Sequence, residues 1–471
     1  MSDVVENKSL HVMIAGAGLG GLMLAILLER LGISYLVFER ATELRQLGSA
    51  MTFNANILPV FEQLGLLEEV QKISLPGFTM NIYNHKIEMI GFVDGRLYRE
   101  RSGYDTIMFA RPDMHNLLLS QVPPEKVLLK KRVLSMEQSE DGVTIHVADG
   151  STYHGDILVG ADGAYSGVRQ GLFKLMEEEN TLPSADKVDM EVGYISMVGI
   201  SDPQDPEKYP ALKLEHSVFS RVIGDGVPLS YNTITVPGNR ICWGMTVQLD
   251  TSKTSKNMTF KNAEWGPEAN ESMINEIRNF PSSFGGVIGD LIDATPRDKI
   301  SRVYLEEKMF ETWYHGRTVL IGDACHKMLP SGGQGAVNAL QDAVILANCL
   351  YDLESKSSNH ITEAFKSYKE QRYPHAKYQM DKSRALGKVS YGQTITDRIL
   401  RFVLFNLVPA KMREQRFLKD VSYRPMLTFI EQPENRGTGP VLPQKPSRRH
   451  QAQKQVSEAT EPRLTVEYRE T

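Results

Sequence analysis

His11-Val12-Met13-Ile14-Ala15-Gly16-Ala17-Gly18-Leu19-Gly20-Gly21 is the stretch that decides how this chain folds. The apolar residues 10–15 read as a buried strand that runs into the glycines. Leu19, Leu22, Met23, Ile26, Leu27 and Leu31 leave them at helical spacing. A second strand pattern, Tyr35-Leu36-Val37-Phe38, ends on Glu39. These pieces make one βαβ unit. In such a unit Gly16 permits the tight turn, Gly18 the approach of backbone to a pyrophosphate, and Gly21 the packing of helix on strand. The phosphates sit at the positive helix N-terminus, and Glu39 accepts from a ribose hydroxyl. A glycine turn that binds nothing is the bland alternative, and it is the full setting of strand, glycines, helix, strand and acid that speaks against it. NAD, NADP and FAD all remain open on these residues.

The chain has 471 residues, enough for a large core and two domains. Its net charge of −5 gives no electrostatic footprint for nucleic acid, so a nucleic-acid partner is disfavoured. Cys242, Cys325 and Cys349 are too few and too scattered for a disulfide framework or a zinc site, so no metal is assigned. An odd cysteine count suits a reducing compartment. Met1 to Ser9 is polar and leads straight into the first strand without a secretory signal, so an intracellular protein is expected.

No run reaches the ~20 apolar residues of a membrane-spanning helix. The nearest is Ile395 to Phe417, where Ile399, Phe402, Leu404 and Leu407 are flanked by Arg398, Arg401, Lys411, Arg413 and Arg416. It reads either as an amphipathic segment in peripheral contact with a membrane or as a helix packed on the body of the protein. Pro409, which interrupts the apolar run, favours the packed helix. Beyond Glu431 the chain turns polar and Pro-rich, and residues 440–471 are expected to be a disordered tail.

Two further turns have ligand shape. In Gly316-Arg317-Thr318-Val319-Leu320-Ile321-Gly322-Asp323 a strand delivers an acid, and the loop that follows carries Gly333-Gln334-Gly335-Ala336 into a helix. The Asp323 carboxylate can accept from hydroxyls of a sugar or ribityl chain, and the amides of Gly333 to Ala336, Gly335 among them, can face an anionic or carbonyl-bearing ring. An ordinary strand-to-helix loop capped by an acid is the competing reading. Between the two glycine motifs, Ile157-Leu158-Val159-Gly160-Ala161-Asp162-Gly163 is another strand that hands an acid and a glycine to a helix start.

Together the three motifs resemble the group A flavoprotein monooxygenases, the aromatic hydroxylase type with a p-hydroxybenzoate hydroxylase-like fold. The resemblance is strongest in 10–60, 105–120, 155–170 and 316–350. It implies that the first motif binds the ADP half of FAD, that Asp162 lies where FAD and NAD(P)H both approach, and that Asp323 holds the ribityl chain. Glu39-Arg40 followed by Gly48-Ser49-Ala50 is similar to the family's loop after the second strand, which adds Arg40 and Gly48 to the cofactor residues. Arg111-Pro112-Asp113-Met114 resembles the start of the family's Arg-x-x-Leu helix, whose arginine reaches the cofactor. Tyr423-Arg424-Pro425-Met426-Leu427-Thr428-Phe429 looks like the closing segment of fungal members that make secondary metabolites, and no role is assigned to it.

The resemblance implies an α/β fold in which a Rossmann-like FAD-binding domain (1–75, 105–180 and 300–390) is interleaved with a substrate domain of mixed or antiparallel sheet (76–104 and 181–299). A C-terminal helical segment covers 391–435. It also implies tightly bound FAD, transient NAD(P)H as reductant, and O2 transferred through a flavin C4a-hydroperoxide to a small hydrophobic or aromatic substrate, by hydroxylation or epoxidation. The pattern departs in places. Asn338 comes one position later than the family's asparagine, and Ile195 and Cys242 stand nearest to two polar positions of the fungal epoxidase-like members. Tyr194, Tyr231, Trp243 and Met245 are candidates for an apolar pocket, each by alternation facing either core or site. No catalytic base is assigned, and His326 reads as structural. A related flavoprotein oxidase or reductase is the competing enzyme. Trp243, Trp265 and Trp313 are isolated and lack a halogenase's Trp-x-Trp-x-Ile pattern. A flavin-binding interaction protein without turnover is the alternative outside enzymes.

Overall fold

The computed structural model describes residues 10–460 apart from 45–46, 97, 225–227, 250–266 and 393. Strand His11–Ala15 sits inside a six-stranded sheet, between strand Ser34–Phe38 on one side and strand Ile157–Gly160 on the other, parallel to both. Thr318–Leu320 extends the sheet beyond Ile157–Gly160, and Val127–Leu128 extends it beyond Ser34–Phe38. The chain therefore leaves strand His11–Ala15 where the strand order reverses, which is where an open α/β sheet forms its ligand crevice. Strands buried on both faces read as near-continuous apolar runs, as Val12, Met13 and Ile14 do with no solvent exposure. Helix Leu19–Leu31 and helix Gly335–Tyr351 pack against each other and this sheet in the main core.

A second, ten-stranded sheet is mixed. Its central strands Glu191–Ile200, Arg240–Gln248, Leu229–Val236 and Ser217–Ile223 run antiparallel in that spatial order. Strand Leu75–Asn84 joins parallel to Ser217–Ile223. Ile107–Ala110 and Ala50–Phe53 complete that edge, so the sheet runs on across the chain positions 75 and 105. Alternation gives the sheet two different faces. Met197, Tyr231, Trp243 and Met245 point to one face, under helix Ile288–Asp293 and Ile274 of its neighbour. Met108, Ile200, Ile234 and Cys242 point to the other.

The C-terminal part of the chain differs in one place from its sequence reading. Residues 440–460 are placed rather than disordered. The Leu442 amide donates to Ser422 O at 2.8 Å, the Gln444 side chain pairs in both directions with the Met426 backbone, and Ser447 Oγ donates to Asp352 at 2.6 Å. Ser447 also accepts from the His450 amide at the start of helix Arg448–Thr460. Composition misses this because a polar segment needs only a few specific partners on a finished surface to dock. Residues 461–471 lie outside the described residues. In the 395–417 segment, Arg401 is buried and donates to Gly392 O at 2.6 Å, yet several large apolar side chains face solvent. Among the described residues no helix is long and apolar enough to cross a membrane.

Candidate cofactor and substrate site

The glycines of the three motifs divide into two kinds. A Cβ on Gly16 would lie 2.4 Å from Ala161 O, one on Gly21 would lie 2.1 Å from Gly16 O, and one on Gly322 would lie 2.9 Å from the Ala339 Cβ. These three are small because protein backbone or side chain fills the space. Beside Gly18, Gly163 and Gly333 there is nothing within 4 Å. One open glycine thus comes from each motif. Helices Leu19–Leu31 and Gly335–Tyr351 both begin without a side-chain cap, leaving their first amides available to a ligand. Gly335 and Ala336 open the second of these helices.

The Glu39 carboxylate accepts from the Ala17 and Ala41 amides, each at 2.9 Å, so it ties the glycine loop to the end of the second strand. Lone pairs on both oxygens remain for a hydroxyl. Arg40 is exposed beside it. Gly48 makes room for an arginine: its Cβ would lie 2.8 Å from the Arg111 Cδ. Arg111 donates to Leu47 O at 2.9 Å. Burial pushes its guanidinium below the usual arginine range, and the Asp323 carboxylate works against that. Asp323 itself reaches Lys327 Nζ at 2.6 Å and stays partly open to solvent.

Asp162 stands at a helix start, where the sequence places it. Its carboxylate accepts from Ser166 Oγ at 2.5 Å and from the Gly167 and Val168 amides at 2.7 and 3.2 Å. The side chain therefore caps helix Gly167–Glu178, while its backbone abuts Gly16, whose Cβ would meet the Asp162 Cα at 2.9 Å. Two supporting residues carry no sequence motif. His115 donates from Nε2 to Ala17 O at 2.9 Å, and burial lowers its pKa, which suits a neutral ring bracing the loop. Arg169 donates to Ala324 O at 2.9 Å and Ala164 O at 2.6 Å, so it joins the second motif to the third.

Beneath the third motif lies a buried polar network. Asp342 accepts from the Gly322 amide at 2.8 Å, His326 Nε2 at 2.6 Å and Arg372 Nε at 2.8 Å, with all three side chains fully enclosed. Burial pushes the Asp342 carboxyl up, and His326 and Arg372 more than reverse this, so it is held below the ordinary range. Asn338 accepts from Arg372 Nη2 at 2.8 Å and donates from Nδ2 to Gln334 O at 2.9 Å, so it ties the glycine loop to the network. His326 is structural here. Cys325 Sγ completes a cluster with His326 and Asp342, and burial raises its thiol pKa well above the ordinary value, as it also raises those of Cys242 and Cys349.

The face of the ten-stranded sheet opposite Trp243 looks onto these loops. Tyr194 and Tyr391 rings lie 5.0 Å apart, and a Cβ on Gly387 would meet Ser331, Leu329 and Tyr194 together. Of the four pocket candidates, only Tyr194 is on this face. Trp243 donates to Thr295 Oγ1 at 2.9 Å, and Tyr231 donates to Pro281 O at 2.9 Å, both in the far core. Cys242 is on the near face, while Ile195 packs with the far core. On the near face Ser196, Ser230 and Thr246 bond within the sheet, and Arg221 stands with its cross-strand partner Asn232 next to Gly244. Arg221 Nη1 donates to Ser390 Oγ at 3.1 Å, on the last turn of the long helix Ser358–Tyr391. Motif reading missed Arg221 because its strand, Ser217–Ile223, carries no fingerprint. The signal was a lone cation in an apolar alternating run.

A dinucleotide fingerprint at the switch point of a parallel sheet, with two more glycine loops at the same edge and a mixed sheet over them, defines a nucleotide-dependent redox protein. A family model described as the FAD binding domain matches residues 9–383. The FAD-dependent monooxygenase ptmM of Penicillium ochrochloron is 31% identical over 393 residues, covering 79% of this chain and 86% of that protein. The FAD-dependent monooxygenase ausM of Penicillium brasilianum is 32% identical over 401 residues, covering 81% and 79%. The chain belongs to the FAD-dependent monooxygenases, and FAD is its cofactor. The fold agrees with solved structures. HpxO of Klebsiella pneumoniae, complexed with FAD and uric acid, superposes with a TM-score of 0.72 at 21% identity, over 90% of this chain and 100% of that one. The 2,6-dihydroxypyridine-3-hydroxylase of Arthrobacter nicotinovorans gives 0.65 at 17% identity, over 82% and 94%.

Proposed function

We propose that this monooxygenase uses NAD(P)H and O2 to hydroxylate or epoxidise a small hydrophobic or aromatic metabolite that carries one oxygen acceptor. The observation that supports it best is the opposition of two surfaces. One holds the open glycines Gly18, Gly163 and Gly333, and the other is the sheet face on which Arg221 stands with Asn232. In this reading Gly16, Gly18, Gly21 and Glu39 hold the ADP half of FAD, with Arg40 at its edge. Arg111, braced by Gly48, and Asp323 hold the pyrophosphate and ribityl chain, and the amides of Gly335 and Ala336 face the ring. Asp162 acts through its backbone and its helix cap. Bound FAD supplies the redox chemistry that activates dioxygen. The protein's part is to bind, orient and exclude water. Arg221 and Asn232 donate to the substrate's oxygen, and Ile234, Cys242 and Tyr194 pack its apolar body. NAD(P)H enters transiently, and the basic 395–417 segment contacts a membrane peripherally.

Screening phenols and prenylated aromatics for stimulated NADH or NADPH oxidation tests the reading. A stimulating compound should raise oxidation in the wild type, while Arg221→Met should raise KM and divert reducing equivalents to hydrogen peroxide. Loss of a hydrogen bond to a charged donor costs about 1.5–3 kcal/mol, or roughly 10- to 150-fold in KM. An Arg221→Met enzyme with unchanged KM and coupling would remove Arg221 from the substrate wall. A yellow protein that never oxidises NAD(P)H would defeat the turnover reading itself.

A further inference from the structure

Helix Ile395–Phe402 presents an apolar stripe to solvent. Ile395 is 77% exposed, Ile399 58%, Phe402 58%, and Leu407 just beyond is 61% exposed. The stripe does not hold the helix in place. Thr394 and Asp397 do so by a reciprocal cap, and Arg401 pins the other side to Gly392. A distant part of the chain extends the same surface. Phe405 packs on Gly91, whose Cβ would lie 3.0 Å from the ring, and Met89 at the start of the strand Met89–Asp94 that carries Gly91 is exposed. A run of large apolar side chains left exposed along one segment marks a contact site.

We infer that this face docks on an anionic lipid bilayer and sets the end of the long helix, where Ser390 and Tyr391 line the substrate wall, at the lipid surface. Charge selects the bilayer over a second copy. Apart from the buried Arg401, residues 388–416 carry five cationic side chains against two carboxylates in a chain of net charge −5. A two-fold pairing of copies would bring that positive rim against itself, whereas anionic headgroups attract it. Apolar side chains on one face with a cationic rim are the pattern of an interfacial segment lying in the membrane plane. The docking stands on the surface alone, while loading of substrate from the bilayer rests on the hydrophobic substrate proposed above.

Co-sedimentation of the FAD-loaded full chain with vesicles tests it. The protein should pellet with phosphatidylcholine–phosphatidylserine vesicles, less with phosphatidylcholine alone, and less in high salt. The double variant Ile399→Asp with Phe402→Glu should stay in the supernatant while keeping its yellow colour and its turnover of a detergent-dispersed substrate. Lys411→Gln with Arg416→Gln should lower the partition coefficient about fivefold per charge removed. Wild type that stays in the supernatant with mixed vesicles, or a double variant that pellets like wild type, would overturn the docking and leave the monooxygenase reading intact. A solution dimer that the double variant converts to monomer, without vesicle binding, would assign the face to a second copy and overturn it too.

Discussion

Asp323 follows a buried strand, yet its carboxylate is partly open, shared between Lys327 at 2.6 Å and the field of Arg111. A buried strand that delivers a half-open acid suits a hydroxyl-bearing ligand. Asp323→Ala should therefore lose FAD during purification, checked by the flavin absorbance per chain. Full retention of colour with normal turnover would remove Asp323 from the site. Spacing revealed this acid, because a strand ending in Gly-Asp is a local pattern. Spacing also singled out Asp162, but it left the direction of the side chain open. The same strand-to-acid pattern serves to cap helix Gly167–Glu178, and only neighbours distant in sequence decide which way a carboxylate turns. Arg169 and His115 escaped notice for the same reason: each donates to backbone carbonyls of another motif, and a carbonyl leaves no trace in sequence.

The long helix Ser358–Tyr391 joins the buried network to the substrate wall, with Arg372 at one level and Ser390 at another. Its His375 stacks on Tyr423 with ring centroids 3.5 Å apart. Burial, and then the charge of Arg372, lower its pKa to about 4 from an ordinary 6.5. The folded protein thus resists protonation that the unfolded chain accepts. This contribution to stability is fully present above pH 6.5 and is lost as pH falls through 4. Melting temperature should fall more steeply across that window in wild type than in His375→Phe, and parallel curves for the two proteins would contradict the assignment. Alternation in Leu229–Val236 and Arg240–Gln248 made the strands legible. It could not tell which face met the site, because Trp243 and Cys242 alternate equally well in either register, and helices packed from elsewhere decide that Trp243 is core.

At the scale of the whole molecule, the order of glycine motifs along the chain made the parallel sheet and its crevice legible, since each motif is a strand, a turn and a helix start in one short stretch. The mixed sheet was only partly legible. It crosses from Ala50–Phe53 to His326–Lys327, and no local signal says that strands so far apart share hydrogen bonds. Residues 440–460 were illegible because composition reports the mean tendency of a segment, not the partners waiting on a finished surface. Under the function proposed above, the two-sheet plan has one meaning, that oxygen activated at the glycine edge is delivered to a molecule held against the Arg221 face. Mass spectrometry of product formed under isotopically heavy dioxygen, from a compound that stimulates NAD(P)H oxidation, tests that most directly. The account predicts one heavy oxygen atom per product molecule, and product without label, or hydrogen peroxide alone, would contradict it.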